Sequence, residues 1–279
     1  MIRSTGDSSL AIRTVNVVRR GEPGVSADQV AVEAPLEVRV NGQPFSVIMR
    51  TPGSDRELAL GFLLSEGLVR SRADVARVDV DEPVSVVNVV FDRGRADAVA
   101  EALGQRRQVA MNSSCGLCGR RNLESLEINA PPFAMEWSVD LSVVDGLPAT
   151  LQTAQPAFAQ TGGLHAAGLF DLDGQLVASA EDIGRHNAVD KLVGRMFEAG
   201  HLPLSRLLLV VSGRSSFEIV QKAWLAGIPL VAAVSAPSSL AVDLATRAGM
   251  TLLGFVRDGR FNVYAHPERV TSEAPTGGR

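Results

Sequence analysis

The sequence predicts an α/β chain: a smaller β-rich domain of α+β character at the N-terminus, then a C-terminal domain whose sheet is covered on both faces. Three observations carry this. Residues 207–211, 229–234 and 251–256 are short continuous apolar runs, separated by amphipathic segments at 216–226 and 238–248. Continuous apolar strands joined by helices describe a sheet buried on both sides. Upstream, Val32, Leu36, Val38 and Val40 alternate with polar residues as far as Asn41-Gly42, after which 45–49 returns. That is the pattern of a β-hairpin with a strong two-residue turn.

The remaining elements follow in order. The first 30 residues alternate irregularly and carry Gly and Pro, so an opening strand and loop are expected. Thr51-Pro52-Gly53-Ser54-Asp55 ends the hairpin, and Ser54 or Asp55 caps a helix through Leu58, Leu60, Phe62 and Leu63 that stops at Gly67. Residues 84–91 read as a strand and 95–108 as an amphipathic helix. A helix over 140–147 and a linker over 158–163 lead to a second hairpin, 166–171 with 176–179, around Asp173-Gly174. A helix over 187–198 follows, with Asn187 as its cap. After the third apolar strand, Asp258-Gly259 turns the chain back through 261–264. The expected division is 1–130 and 131–270, with a polar, disordered tail at 271–279.

Composition excludes several classes. A net charge of −4 gives no bulk attraction for nucleic acid. Only Lys191 and Lys222 are lysine among 27 basic residues, so arginine supplies nearly all positive charge; it also suits bidentate phosphate contacts. The N-terminus has no apolar signal segment, and the longest apolar runs are too short to span a bilayer. With only two cysteines, this points to the reducing cytoplasm and no membrane.

Those two cysteines form one Cys-x-x-Cys pair, Ser113-Ser114-Cys115-Gly116-Leu117-Cys118-Gly119. Four-ligand zinc is not expected, because no further Cys completes it. Arg106, Arg107, Arg120 and Arg121 flank the pair, and positive charge favours the reactive thiolate. A carrier thiol, a thioredoxin-like redox pair and two buried apolar residues all remain readings. The glycines argue against the last. The helix-like segment before the pair favours an accessible loop over a rigid redox centre.

Downstream, Ser212-Gly213-Arg214-Ser215-Ser216 and Ser235-Ala236-Pro237-Ser238 each run from a strand end into a helix start. Small residues there let a ligand approach the backbone, and helix N-termini offer free N–H donors. In open α/β sheets ligands gather in that crevice. Gly213, Arg214 and Ser235 are therefore candidates for a phosphate-bearing ligand, against the alternative of ordinary helix caps. The stretch from Glu181 to Lys191, Glu-Asp-Ile-Gly-Arg-His-Asn-Ala-Val-Asp-Lys, is dense in polar groups between a strand and a helix. A solvated charge cluster and a polar pocket are its two readings. The four histidines are scattered, and no metal site is expected.

Together these segments resemble the FdhD family, sulfurtransferases required for formate dehydrogenase activity. The likeness rests on Glu33-Ala34-Pro35-Leu36, Met49-Arg50-Thr51-Pro52-Gly53, the run from Glu57 to Gly67, the cysteine loop, Thr161-Gly162-Gly163-Leu164-His165, the 181–191 stretch and Ser212-Gly213-Arg214. It covers about 31–269. The resemblance implies a cytidine-deaminase-like three-layer C-terminal domain, although neither the His-x-Glu nor the Pro-Cys-x-x-Cys of a zinc deaminase is expected to operate here, so deaminase chemistry is not expected. It implies a persulfide carrier at Cys115, with Cys118 auxiliary. It further implies a cysteine desulfurase as sulfur donor and a molybdenum (or tungsten) bis-molybdopterin guanine dinucleotide as the ligand that receives the sulfur, with a GDP or GMP moiety as the part bound. Formate dehydrogenase is the implied client and a homodimer the implied assembly. The family's cofactor-contacting segment corresponds here to Phe255, Val256, Arg257, Asp258, Gly259 and Arg260.

Overall fold

The computed structural model describes residues 11–21, 23–96, 99 and 130–271. β1 (Ile12–Val17) and β2 (Ser26–Ala31) pair antiparallel, so the opening segment is a hairpin rather than a strand and a loop. β3 (Ala34–Val40) turns through Asn41 and Gly42, at φ 49° and 81°, into β4 (Gln43–Arg50). Two successive positive φ angles match the right-handed twist of the strands, which is why Asn-Gly sits there. β5 (Val75–Asp81) and β6 (Val86–Phe91) complete a sheet of order β4-β3-β6-β5. The turn is tied to β6, because the Asn41 side chain accepts from the Phe91 N–H and the Asn88 side chain from the Gly42 N–H.

α1 (Asp55–Ser65) lies against this sheet. Neither expected cap operates. Ser54 stands at φ 55° without a side-chain cap bond, and Asp55 instead receives the Arg50 guanidinium at 2.8 and 2.7 Å. Arg50 is buried, so the pair fixes the end of β4 to the start of α1. The expected helix at 95–108 is represented by helical residues at 93–96 and Val99; the remainder lies outside the described residues.

The second sheet is the larger. α2 (Leu141–Thr153) begins with Asp140, whose carboxylate accepts the Ser142 N–H, and runs past the expected end at 147. α3 (Pro156–Thr161) takes the place of most of the expected linker. Then come β8 (His165–Phe170), β9 (Leu176–Asp182), α4 (Arg185–Glu198), β10 (Leu208–Val211), α5 (Phe217–Ala226), β11 (Leu230–Ala233), α6 (Ser239–Ala248), β12 (Thr251–Arg257) and β13 (Arg260–Ala265). The order is β13-β12-β11-β10-β8-β9, with β10, β11 and β12 parallel and the outer strands antiparallel. β7 (Val139–Asp140) and β14 (Val270–Thr271) pair in parallel, so Thr271 belongs to the fold and not to a tail. Residues 272–279 lie outside the described residues.

Alternate residues of the central strands face opposite layers. Leu208, Val210, Leu230, Ala232 and Leu253 pack with Val144, Leu147 and Leu151 of α2. Leu209, Val211, Val231, Ala233 and Leu252 share a core with Leu192, Ile219 and Leu244 of α4, α5 and α6. This is a three-layer mixed α/β architecture. The second core continues without a break into Leu36, Val38, Val87 and the inner face of α1, because α1 packs directly on α4. No helix among the described residues is long and apolar enough to cross a membrane.

Candidate functional site

The carboxyl ends of β10, β11 and β12 form one edge, at Gly213, Ser235 and Phe255. β8 runs the opposite way, with Ala167 opposite Val211, so its first residue, His165, reaches the same edge. A Cβ on Gly213 would stand 3.3 Å from His165 Nδ1 and 3.6 Å from Arg185 Cδ. Gly213, His165 and Arg185 therefore form one patch, with the exposed Arg214 beside it. A bridge between Ser215 and Pro237, with the Ser238 N–H donating to the Ser215 carbonyl, holds the two strand-end loops together.

Two helix N-termini open here. Gly184 and Ser216 precede α4 and α5 without side-chain cap bonds, leaving their first N–H groups available to an anion. Ser238, before α6, does cap, accepting from the Ala241 N–H. Arg185 Nε is buried with no hydrogen-bond partner among the described residues. Burial lowers the His165 pKa, the Arg185 charge lowers it further, and Asp182 opposes both. The patch is thus cationic through arginine, with a neutral imidazole poised beside it.

The expected segment 255–260 divides in the structure. The Phe255 N–H donates to the Ser235 carbonyl, and Phe255 holds φ 57°, a left-handed conformation that is rare for a bulky side chain. The Arg257 guanidinium lies 5.9 Å from its ring centroid. Asp258 and Gly259, at φ 53° and 68°, are the turn between β12 and β13, and they place Arg257 opposite Arg260 at an exposed hairpin tip. Within the segment, the Val256 side chain is fully buried in the layer beneath α2.

The 181–191 stretch is not a solvated cluster. Glu181 accepts the Ala157 and Phe158 N–H groups at the start of α3. Buried Asp182 binds Lys191 at 2.8 Å and also accepts from the Thr51 and Gly184 N–H groups. Asn187, expected as a cap, lies inside α4 and donates to Asp182 and to the Met49 carbonyl. These bonds lock the end of β4 onto α4. Next to the lock lies a cavity of about 490 Å³ between β4, α1, α4 and α5. Phe62, Met49 and Ile183 line it on the apolar side; His186, Glu218, Gln221 and the buried Asp190–Lys222 pair line it on the polar side.

Cys115 and Cys118 lie outside the described residues. Among the described residues no group of three or more His, Cys, Asp or Glu side chains is arranged to hold a metal ion. His266-Pro267-Glu268 spells a His-x-Glu, yet its imidazole is engaged by Glu268 at 2.8 Å and by the Thr246 carbonyl at 3.0 Å. The sequence reading missed Arg185 and His165 as site residues. Both stand in the quoted motifs, but only the antiparallel pairing of β8 with β10 brings them to Gly213.

The chain is similar to several known proteins. The sulfur carrier proteins FdhD of Streptomyces avermitilis and Streptomyces coelicolor are 46% and 47% identical to the chain, covering 94% and 95% of it and 96% and 97% of their own lengths. The one from Mycobacterium tuberculosis is 47% identical over 88% of this chain and 96% of its own. A crystal structure of a protein from Desulfotalea psychrophila, provisionally described as a formate dehydrogenase accessory protein, superposes with a TM-score of 0.74 at 26% identity. It covers 93% of this chain and 98% of that one. The FdhD/NarQ family profile matches residues 31–271, and the chain belongs to the FdhD/NarQ family.

Proposed function

We propose that this protein is a sulfurtransferase. It carries sulfur as a persulfide on Cys115 and passes it to a molybdenum (or tungsten) bis-pterin guanine dinucleotide seated on the carboxyl edge of the larger sheet. The observation that carries the reading is the convergence at that edge of Gly213, Arg214, Arg185 and two uncapped helix N-termini, in a chain whose relatives are named sulfur carriers. A diphosphate needs N–H donors and guanidinium groups around a close backbone approach, and this edge offers all three. Ser235 and the Phe255–Arg257 pair extend it toward the hairpin tip with Asp258, Gly259 and Arg260.

The loading step is thiolate exchange. Cys115 attacks the outer sulfur of a cysteine desulfurase persulfide; the new S–S bond forms on Cys115 as the old one breaks, and the desulfurase cysteine leaves as a thiolate. Arg106, Arg107, Arg120 and Arg121 favour the attacking anion. Cys118 is auxiliary, and formate dehydrogenase receives the sulfurated product. The name of the Desulfotalea relative supports that client.

Replacing Cys115 by Ala tests the assignment. Loss of sulfur loading from a desulfurase and cysteine, with GDP binding unchanged, is the expected result. Retained loading with lost GDP binding would instead describe a chaperone whose cysteines hold the cargo.

A further inference from the structure

The cavity between β4, α1, α4 and α5 is unused by the sulfur-transfer reading, and its charge is lopsided. Among the described residues Glu33, Glu66, Asp190 and Glu218 line it, against Lys222, His186 and no arginine. The lysine is spent within the wall. Asp190 takes two bonds of 2.7 Å from Lys222 and a third bond from Ser65. With that pair cancelled, Glu33, Glu66 and Glu218 leave the lining negative.

Two groups on α5 give this excess a direction. Glu218 and Gln221 stand three residues apart, hence on one helix face. The Glu218 side chain is 12% exposed, and its contact with His186 Nε2, at 3.7 Å, is beyond hydrogen-bond length. Gln221 is 6% exposed, lines the cavity and makes no hydrogen bond to another described residue. A carboxamide buried to that depth ordinarily has its partners. The facing wall is apolar, with Val47, Ile48, Met49, Phe62 and Ile183, and Val47 and Met49 remain open to solvent.

The described carboxylates do not converge as metal ligands, so the negative lining suits an organic cation that brings N–H donors. We propose that the cavity binds a guanidinium group carried on an apolar stem. Glu218 accepts two of its N–H groups side by side, the Gln221 amide oxygen accepts a third, and Glu33 and Glu66 add attraction at longer range. A guanidinium fits this task better than an ammonium, because it is planar, presents its donors as a fixed fork and is more weakly hydrated. The stem packs on Phe62 and Met49. A volume of about 490 Å³ is ample for such a group. The site is independent of the sulfur-transfer reading: the phosphate edge gathers arginine and free N–H groups, whereas this cavity gathers carboxylates.

Calorimetry with the full-length protein tests this, using N-acetylarginine amide, its neutral citrulline isostere and its lysine counterpart at one ionic strength. The arginine compound should bind roughly tenfold more tightly than the citrulline one, with the lysine compound between them. Glu218→Gln should bring the arginine compound to within about twofold of the citrulline one, while pyrophosphate binding stays unchanged. Two further probes separate the sources of the group. Tighter binding by a blocked tripeptide, with arginine between two leucines, than by N-butylguanidine assigns the cavity to an arginine of a partner chain. No gain over N-butylguanidine assigns it to a small free guanidine. Arginine binding no tighter than citrulline or lysine binding, or no arginine binding at all, overturns the proposal and leaves the phosphate edge standing. Loss of pyrophosphate binding with arginine discrimination intact counts against the phosphate edge alone. The comparison among the three compounds needs no variant, so a poorly folding Glu218→Gln protein does not decide the matter, and Gln221→Ala provides a second.

Discussion

Gly61 of α1 and Gly194 of α4 meet backbone to backbone: a Cβ on Gly194 would lie 2.8 Å from Gly61 N and 1.9 Å from the Glu57 carbonyl oxygen. A Cβ on Gly61 would lie 2.0 Å from the Asp190 carbonyl oxygen. The contact lets α1 and α4 pack directly, so that the two sheets share one core. Gly61→Ala or Gly194→Ala must push the helices apart, at a cost of about 3 kcal/mol. Urea unfolding measures it, and a loss below about 0.5 kcal/mol would contradict the close crossing.

The Asp190–Lys222 pair gives a second test. Burial pushes the Asp190 carboxyl above its ordinary 3.8, opposed by Lys222 and then Ser65. Lys222→Met leaves that carboxyl buried without its cation and should cost about 3–5 kcal/mol near neutral pH. A carboxyl whose folded pKa is raised loses stability as pH rises through that value. The deficit of the variant should therefore shrink as pH falls from neutral to below 3.8, where Asp190 becomes protonated in both states. Asp190→Asn added to Lys222→Met should recover part of the loss, and a deficit independent of pH would contradict the assignment.

His165 predicts a pH effect of the opposite sign. Its pKa lies below the ordinary 6.5, through burial and the Arg185 charge. It thus supports folding above 6.5 and loses that contribution as pH falls through its lowered value. A bound phosphate offsets the Arg185 charge and raises the His165 pKa, so binding takes up a proton. Pyrophosphate affinity of the native protein should rise from pH 7 toward 5.5 relative to His165→Asn. Parallel pH profiles for the two proteins would exclude His165 from the anion site.

Arg185 carries the most direct test of the phosphate edge. Its Nε is unpartnered and buried beside Gly213, so Arg185→Ala should lower pyrophosphate affinity about tenfold and flatten its salt dependence. The melting temperature should change little, because Arg185 Nε has no hydrogen-bond partner among the described residues. Unchanged affinity would remove Arg185 from the site.

Much of this architecture is legible in the residues. Asn41-Gly42 marks its own turn because few other pairs take two positive φ angles. The apolar runs of β10, β11 and β12 declare a sheet covered on both faces. β5 escaped notice because it is an edge strand whose valines alternate with Arg77, Asp79 and Asp81, leaving little apolar signal. The start of α4 was displaced by two residues because Asn187, a good local cap, is claimed by a tertiary bond to Met49, which lies 138 positions away. The phosphate edge was half visible: Gly213, Arg214 and Ser235 sit at strand ends, whereas His165 and Arg185 join them only through strand pairing. The Glu218–Gln221 wall carried no sequence signal, since two polar residues on an amphipathic helix ordinarily face water.

The central claim is that Cys115 takes up sulfur. Mass spectrometry of the purified protein after incubation with a cysteine desulfurase and cysteine tests it most directly. One added, reductant-labile sulfur atom on the peptide containing Cys115, absent from Cys115→Ala, is the predicted result. An unmodified peptide, or a Cys115–Cys118 disulfide with no sulfur gained, would contradict it.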